Sequence, residues 1–124
     1  MEGYKVEIRE VSKKITAKER VMLKDTTNAI ALDELTQQGK VIIDPEFYAV
    51  LNVTNPKSED KEYVKYIIVD KAGTKYVTGS ESFFTAFKDI MDEMADCDEE
   101  FSIEVYRMPS KNYKGKEFIT CSIV

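Results

Sequence analysis

The chain has 124 residues, of which 43% are hydrophobic and 33% charged, with a net charge of −5 and no histidine. That length suits one domain with its own core, and the missing histidine excludes Ser-His-Asp triads, Cys-His pairs and the usual zinc sites. No apolar run approaches the roughly 20 residues of a membrane-spanning helix, and the start at Met1-Glu2-Gly3 has neither the basic nor the apolar part of a signal peptide, so a cytoplasmic protein with no membrane partner is expected.

Residues 4–11 alternate Val6 and Ile8 with charged neighbours, the period of a strand. Thr16 and Glu19 have capping-box spacing ahead of Val21, Met22 and Leu23, which predicts a short helix from Ala17 to about Lys24. Residues 29–38 carry Ala29, Ile30, Leu32 and Leu35, with Gly39 placed to stop a second helix. Val41–Ile43 is a short apolar run ended by Asp44-Pro45. Residues 47–54 then read as a strand closed by Asn55-Pro56.

Residues 63–70 and 74–78 flank Lys71-Ala72-Gly73 and read as a hairpin. Gly79 breaks the second strand, and Ser80 or Thr78 is placed to cap a helix over 82–95. Phe83, Phe84, Phe87, Ile90, Met91 and Met94 form its apolar stripe, with Asp89, Asp92, Glu93 and Asp96 opposite. Those carboxylates have the spacing of a solvated helix face rather than of a two-metal site. Phe101, Ile103 and Val105 alternate with Ser102, Glu104 and Tyr106. After a loop, Ile119, Cys121 and Ile123 alternate with Phe118, Thr120 and Ser122. Cys97 and Cys121 read as buried or semi-buried free thiols.

From Asp44 onward the order is β-β-β-α-β-β, that of the five-stranded OB-fold barrel, whose loops and sheet face bind oligonucleotides. The expected fold is therefore mainly β with helices (α+β). An OB-like single-strand nucleic-acid-binding domain spans 41–124, and a strand/helix extension over 1–40 packs on the barrel.

Residues 81–100 carry a net −7 of the total −5, which leaves +2 for the rest of the chain. Charge is thus segregated, and a basic face can survive on an acidic protein. The loop from Arg107 to Lys116 holds Arg107, Lys111, Tyr113, Lys114 and Lys116 and no acid, with Tyr106 just before it. Cations at this spacing suit phosphates and the tyrosines suit bases, a pairing that tolerates any sequence. Lys61, Tyr63 and Lys65 form a second basic-aromatic-basic row along one strand. No catalytic residue, metal or cofactor is expected, because neither a Gly-rich phosphate loop nor a ligand cluster is present.

Residues 57–124 resemble the small single-stranded DNA-binding proteins of tailed phages that infect Gram-positive bacteria. The resemblance rests on Asp-Lys-Glu-Tyr-Val at 60–64, Lys-Ala-Gly-Thr-Lys-Tyr at 71–76, Gly-Ser-Glu-Ser at 79–82 and Ser-Lys-Asn-Tyr-Lys-Gly-Lys-Glu-Phe at 110–118. It implies a phage-encoded protein in the host cytoplasm that coats single strands during DNA replication or recombination with little sequence preference. Lys111, Tyr113, Lys114 and Lys116 match the binding loop. It leaves replication proteins and second copies of the chain as further partners. The rival expectation is an interaction or inhibitor module that docks its acidic helix on a host or replication protein.

Overall fold

The computed structural model describes residues 5–57, 62–110 and 115–124. The elements are β1 (Lys5–Val11), α1 (Ala17–Lys24), β2 (Ile30–Ala31), α2 (Leu32–Gln38), β3 (Val41–Ile43) and β4 (Pro45–Thr54). They continue with β5 (Glu62–Asp70), β6 (Lys75–Thr78), α3 (Glu81–Met94), β7 (Ile103–Pro109) and β8 (Glu117–Ile123). The result is an α+β fold, mostly strand, with three helices and two open sheets ordered β1-β4-β5-β6-β2 and β3-β7-β8. The chain divides into two compact units, one from residues of 1–30 and 46–79, the other from 31–45 and 80–124. Residues 5–30 of the expected extension thus belong to the first unit and 31–40 to the second.

The first unit is built around β4. Val6, Ile8 and Val11 of β1 stand opposite Val53, Leu51 and Ala49 of β4, with the register shifting between Ile8 and Glu10. That shift is a β-bulge, and it turns an edge strand that already carries charge on its other face. Phe47, Ala49, Leu51, Ile67 and Val69 cluster with Leu23 of α1. Burying each contributes roughly 1.5–3 kcal/mol for the large side chains. In the expected capping box, Thr16 Oγ1 accepts from the Glu19 N–H at 3.2 Å and Glu19 Oε1 accepts from the Thr16 N–H at 3.0 Å. The Thr16 N–H bond is also what holds the Glu19 carboxyl below its ordinary value. At the other end of α1, Lys75 Nζ donates to the carbonyls of Met22 and Asp25 at 2.8 and 2.7 Å, a cation on the negative end of the helix.

The β5–β6 hairpin pairs Tyr66 with Thr78 through Val69 with Lys75. Asp70 organises its turn by accepting from the N–H groups of Ala72 and Thr74, while Gly73 adopts φ 89°. That φ is the left-handed region where only glycine is unstrained.

In the second unit, Val41, Ile42 and Ile43 of β3 pair with Val105, Glu104 and Ile103 of β7, and β7 pairs with β8 from Ile103–Ile123 to Pro109–Glu117. The hairpin is fastened at both ends: the Ser110 N–H donates to the Lys116 carbonyl at 2.8 Å and the Val124 N–H to the Ser102 carbonyl at 2.9 Å. Ile43, Ile103, Val105, Ile119 and Cys121 bury one side of this sheet. Helix α3 lies against β8, and Ser82 Oγ donates to the Ile119 carbonyl at 3.0 Å. Ser80 caps α3 by accepting from the Phe83 N–H. The acidic side chains Asp89, Asp92, Glu93 and Asp96 are exposed.

Two local expectations shift. The second helix begins at Leu32, not Ala29, because the Ala29 N–H closes a turn onto the Thr26 carbonyl and Ile30–Ala31 runs as strand. Strand β4 begins at Pro45 itself, a place where a strand tolerates proline because no ladder donor is needed.

The two thiols differ sharply. Cys97 is exposed rather than buried as expected, because it lies beyond the end of α3, whereas Cys121 is buried and burial pushes its thiol up to about 12. Iodoacetamide at pH 8 should therefore alkylate Cys97 in the folded protein and reach Cys121 only on unfolding, a difference mass spectrometry resolves. Because the folded value lies above the ordinary 9.0, the native state holds this proton more tightly. The stability Cys121 contributes is complete below about pH 9 and falls as the pH rises towards 12.

Candidate functional site

The register of the second sheet sorts its side chains into two faces. Residues directly opposite share a face, so Lys40 and Ile42 beside β7, Glu104, Tyr106 and Met108 on it, and Phe118, Thr120 and Ser122 on β8 all lie opposite the buried set. Ile42 is 56% exposed, Met108 41% and Phe118 37%. Tyr106 is half-buried. Its hydroxyl shares a 2.7 Å hydrogen bond with Ser122 Oγ, which fixes the ring on this face.

The face is graded along the strands. At one end Asp44 Oδ1 accepts a hydrogen bond from Ser102, and Glu104 Oε1 lies 3.2 Å from Lys40 Nζ. At the other end Tyr106, Met108 and Phe118 adjoin the start and close of the 107–116 loop, where Lys116 is exposed. Tyr106 and Phe118 are diagonal neighbours, a spacing of about 7–8 Å across an antiparallel pair. Two rings and a flexible thioether form an apolar, aromatic surface at the end of the sheet where Lys116 is exposed.

Arg107 points the other way. Its Nε donates to Thr36 Oγ1 at 3.1 Å and its Nη2 to the Asp33 carbonyl at 2.6 Å, while Thr36 Oγ1 in turn donates to the Leu32 carbonyl at 2.8 Å. The guanidinium thus braces α2 against β7. Between the end of α2 and β7 runs a groove of about 310 Å³ lined by Thr36, Gly39, Lys40, Tyr106, Arg107 and Glu117. Lys40 Nζ also sits 5.8 Å from the centre of the Tyr106 ring.

The row expected on β5 has a different setting. Tyr63 and Lys65 share the face of Ile67 and Val69, which belong to the buried cluster of the first unit. Both are half-buried, with Lys65 Nζ 5.8 Å from the Tyr63 ring centre. The neighbouring groove, of about 290 Å³, has Glu7 and Glu62 among its lining residues. Two carboxylates and no cation among its described lining residues make it a poor seat for phosphate. Lys61, Lys111, Tyr113 and Lys114 lie outside the described residues.

Of the expected set, therefore, Tyr106 and Lys116 stand at the basic end of the β3-β7-β8 face, Arg107 is engaged with α2, and Tyr63 and Lys65 belong to the other unit. Phe118 and Lys40 were missed. Phe118 carried a signal, since it alternates with Ile119 and must point away from the core. Among the described residues no three His, Cys, Asp or Glu side chains gather as metal ligands, and no helix is long and apolar enough to cross a membrane. Comparison with protein-family models, curated proteins and solved structures finds no match to this chain.

Proposed function

We propose that this chain is a non-catalytic single-stranded DNA-binding protein that takes the strand on the open face of the β3-β7-β8 sheet. The observation that carries the reading is the solvent-facing pair Tyr106 and Phe118 beside the loop that begins at Arg107 and ends at Lys116. Bases splayed from a single strand stack on such rings at about 1–3 kcal/mol each, whatever their identity, and lysines track the phosphates between them. The exposed carboxylates of α3 repel a phosphate backbone, which keeps the strand on the aromatic part of the sheet face around Tyr106 and Phe118.

The resemblance of residues 57–124 to phage single-stranded DNA-binding proteins supports DNA over RNA as the ligand and strand coating during replication as the role. An OB-like barrel is the finer form of this reading, and the β-β-β-α-β-β order of β4 to β8 supports it. The binding mode itself needs only one open, aromatic sheet face with a basic loop at its edge.

Anisotropy of a labelled oligo-dT strand tests the proposal. With about three or four phosphate contacts, log K should fall against log salt with a slope near −2 to −3. Changing Lys111, Tyr113, Lys114 and Lys116 together to Ala should abolish most of the salt-sensitive binding. Absence of binding by the folded wild type at low salt, or binding indifferent to salt, would sink the reading.

A further inference from the structure

The strand-binding reading leaves Lys40 unexplained, and Lys40 holds an unusual position. It lies immediately before β3 on the same face as Tyr106, with its side chain 70% exposed. Its ammonium is 3.2 Å from Glu104 Oε1 and 5.8 Å from the Tyr106 ring centre, so one cation holds a carboxylate and leans over the ring at once. Alongside is the groove of about 310 Å³ whose lining includes Lys40 itself, Tyr106 and Arg107. Gly39, immediately before Lys40, adopts φ 144° and places no side chain in the groove.

We infer that this groove receives one backbone phosphate of the bound strand, and that Lys40 is its ligand once it exchanges Glu104 for the phosphate. The inference deepens the single-strand reading and rests on it. Three observations carry it. First, a base stacked on Tyr106 has its sugar and phosphate at the ring's margin, and Tyr106 is itself one of the groove's lining residues. Second, Lys40 is the cation beside both ring and groove, on a long side chain whose ion-pair partner is Glu104. An exposed lysine–carboxylate pair is a weak restraint, worth little against the phosphodiester of a polyanionic strand. Third, the Arg107 guanidinium is already spent on Asp33 and Thr36, so it adds positive charge to the wall without being able to leave it. Moving Lys40 off Glu104 also draws it away from the Tyr106 ring and bares the face on which the base stacks. Glu104 is then a positioning residue that keeps Lys40 parked in the free protein.

A double-mutant cycle on oligo-dT binding tests this, using wild type, E104Q, K40M and the double variant, each titrated by anisotropy across a salt series. The expected result is that E104Q tightens binding about two- to fivefold when Lys40 is present and leaves it unchanged in the K40M background. K40M alone should weaken binding and reduce the magnitude of the salt slope by about 0.7, one phosphate contact. E117Q is the control. It removes a groove carboxylate that does not hold Lys40, and any gain it brings should persist in the K40M background. An equal gain from E104Q in both backgrounds would show a general field effect and overturn the inference. So would K40M binding with wild-type affinity and slope, and in both cases the single-strand reading would stand. Failure of the wild type to bind oligo-dT would overturn both.

Discussion

Replacing Phe83 with alanine should cost about 3–5 kcal/mol of stability, the range for truncating a fully buried aromatic side chain. Phe83 and Phe87 are both completely buried one turn apart on α3, with ring centres 5.5 Å apart and planes within 15° of parallel. The helix start would survive, because its cap uses the Ser80 hydroxyl and the Phe83 backbone N–H rather than the ring. The loss is therefore one of packing: apolar area returned to water plus a cavity the neighbours fill only in part. Phe84 supplies the comparison. It is half-buried, and its ring centre is 6.5 Å from that of Phe87, so Phe84→Ala should cost about 1–2 kcal/mol. Urea titrations followed by circular dichroism would measure both. Since small proteins have only about 5–15 kcal/mol in hand, the Phe83 variant should unfold at a visibly lower urea concentration. Equal midpoints for the two variants would contradict the placement of Phe83 at the centre of the α3 packing.

That placement was legible because it is local. The spacing of three and four in Phe83, Phe84 and Phe87, the Thr16–Glu19 capping box and the Gly73 turn each involve residues within a few positions, and each formed as expected. What the chain alone could not convey was which strands meet. Strand β1 pairs with β4 and β3 pairs with β7, contacts spanning some tens of residues whose partners are set by burial rather than by any local pattern. The same limit shaped the candidate site. The alternation that puts Tyr63 and Lys65 on one face of β5 continues through Ile67 and Val69, and those two residues belong to the buried core. Arg107 looked like a phosphate ligand within its loop, whereas its hydrogen-bond partners Asp33 and Thr36 lie far back in the chain. Lys40 was overlooked because Glu104 and Tyr106 become its neighbours only through the β3–β7 pairing.

Changing Tyr106 and Phe118 together to alanine should weaken oligo-dT binding about 30-fold or more, since each ring contributes about 1–3 kcal/mol by stacking on a base. The single variants should each lose about five- to 100-fold on the same scale. Tyr106→Phe should bind nearly as well as wild type, because it keeps the ring and loses only the hydroxyl bonded to Ser122. The fold should tolerate the change: Phe118 is 37% exposed and Tyr106 half-buried, so neither is a core residue like Phe83. The salt series separates stacking from charge. Removing two uncharged rings releases no fewer counterions, so the double variant should bind more weakly at every salt concentration with an unchanged slope. The loop variant lacking Lys111, Lys114 and Lys116 should flatten that slope instead. If the double variant kept wild-type affinity while the loop variant lost binding, the sheet face would be no more than a support for a basic loop. Loss of affinity at constant slope would place the bases on Tyr106 and Phe118, and would make the open β7–β8 face, rather than the loop alone, the surface that holds the strand.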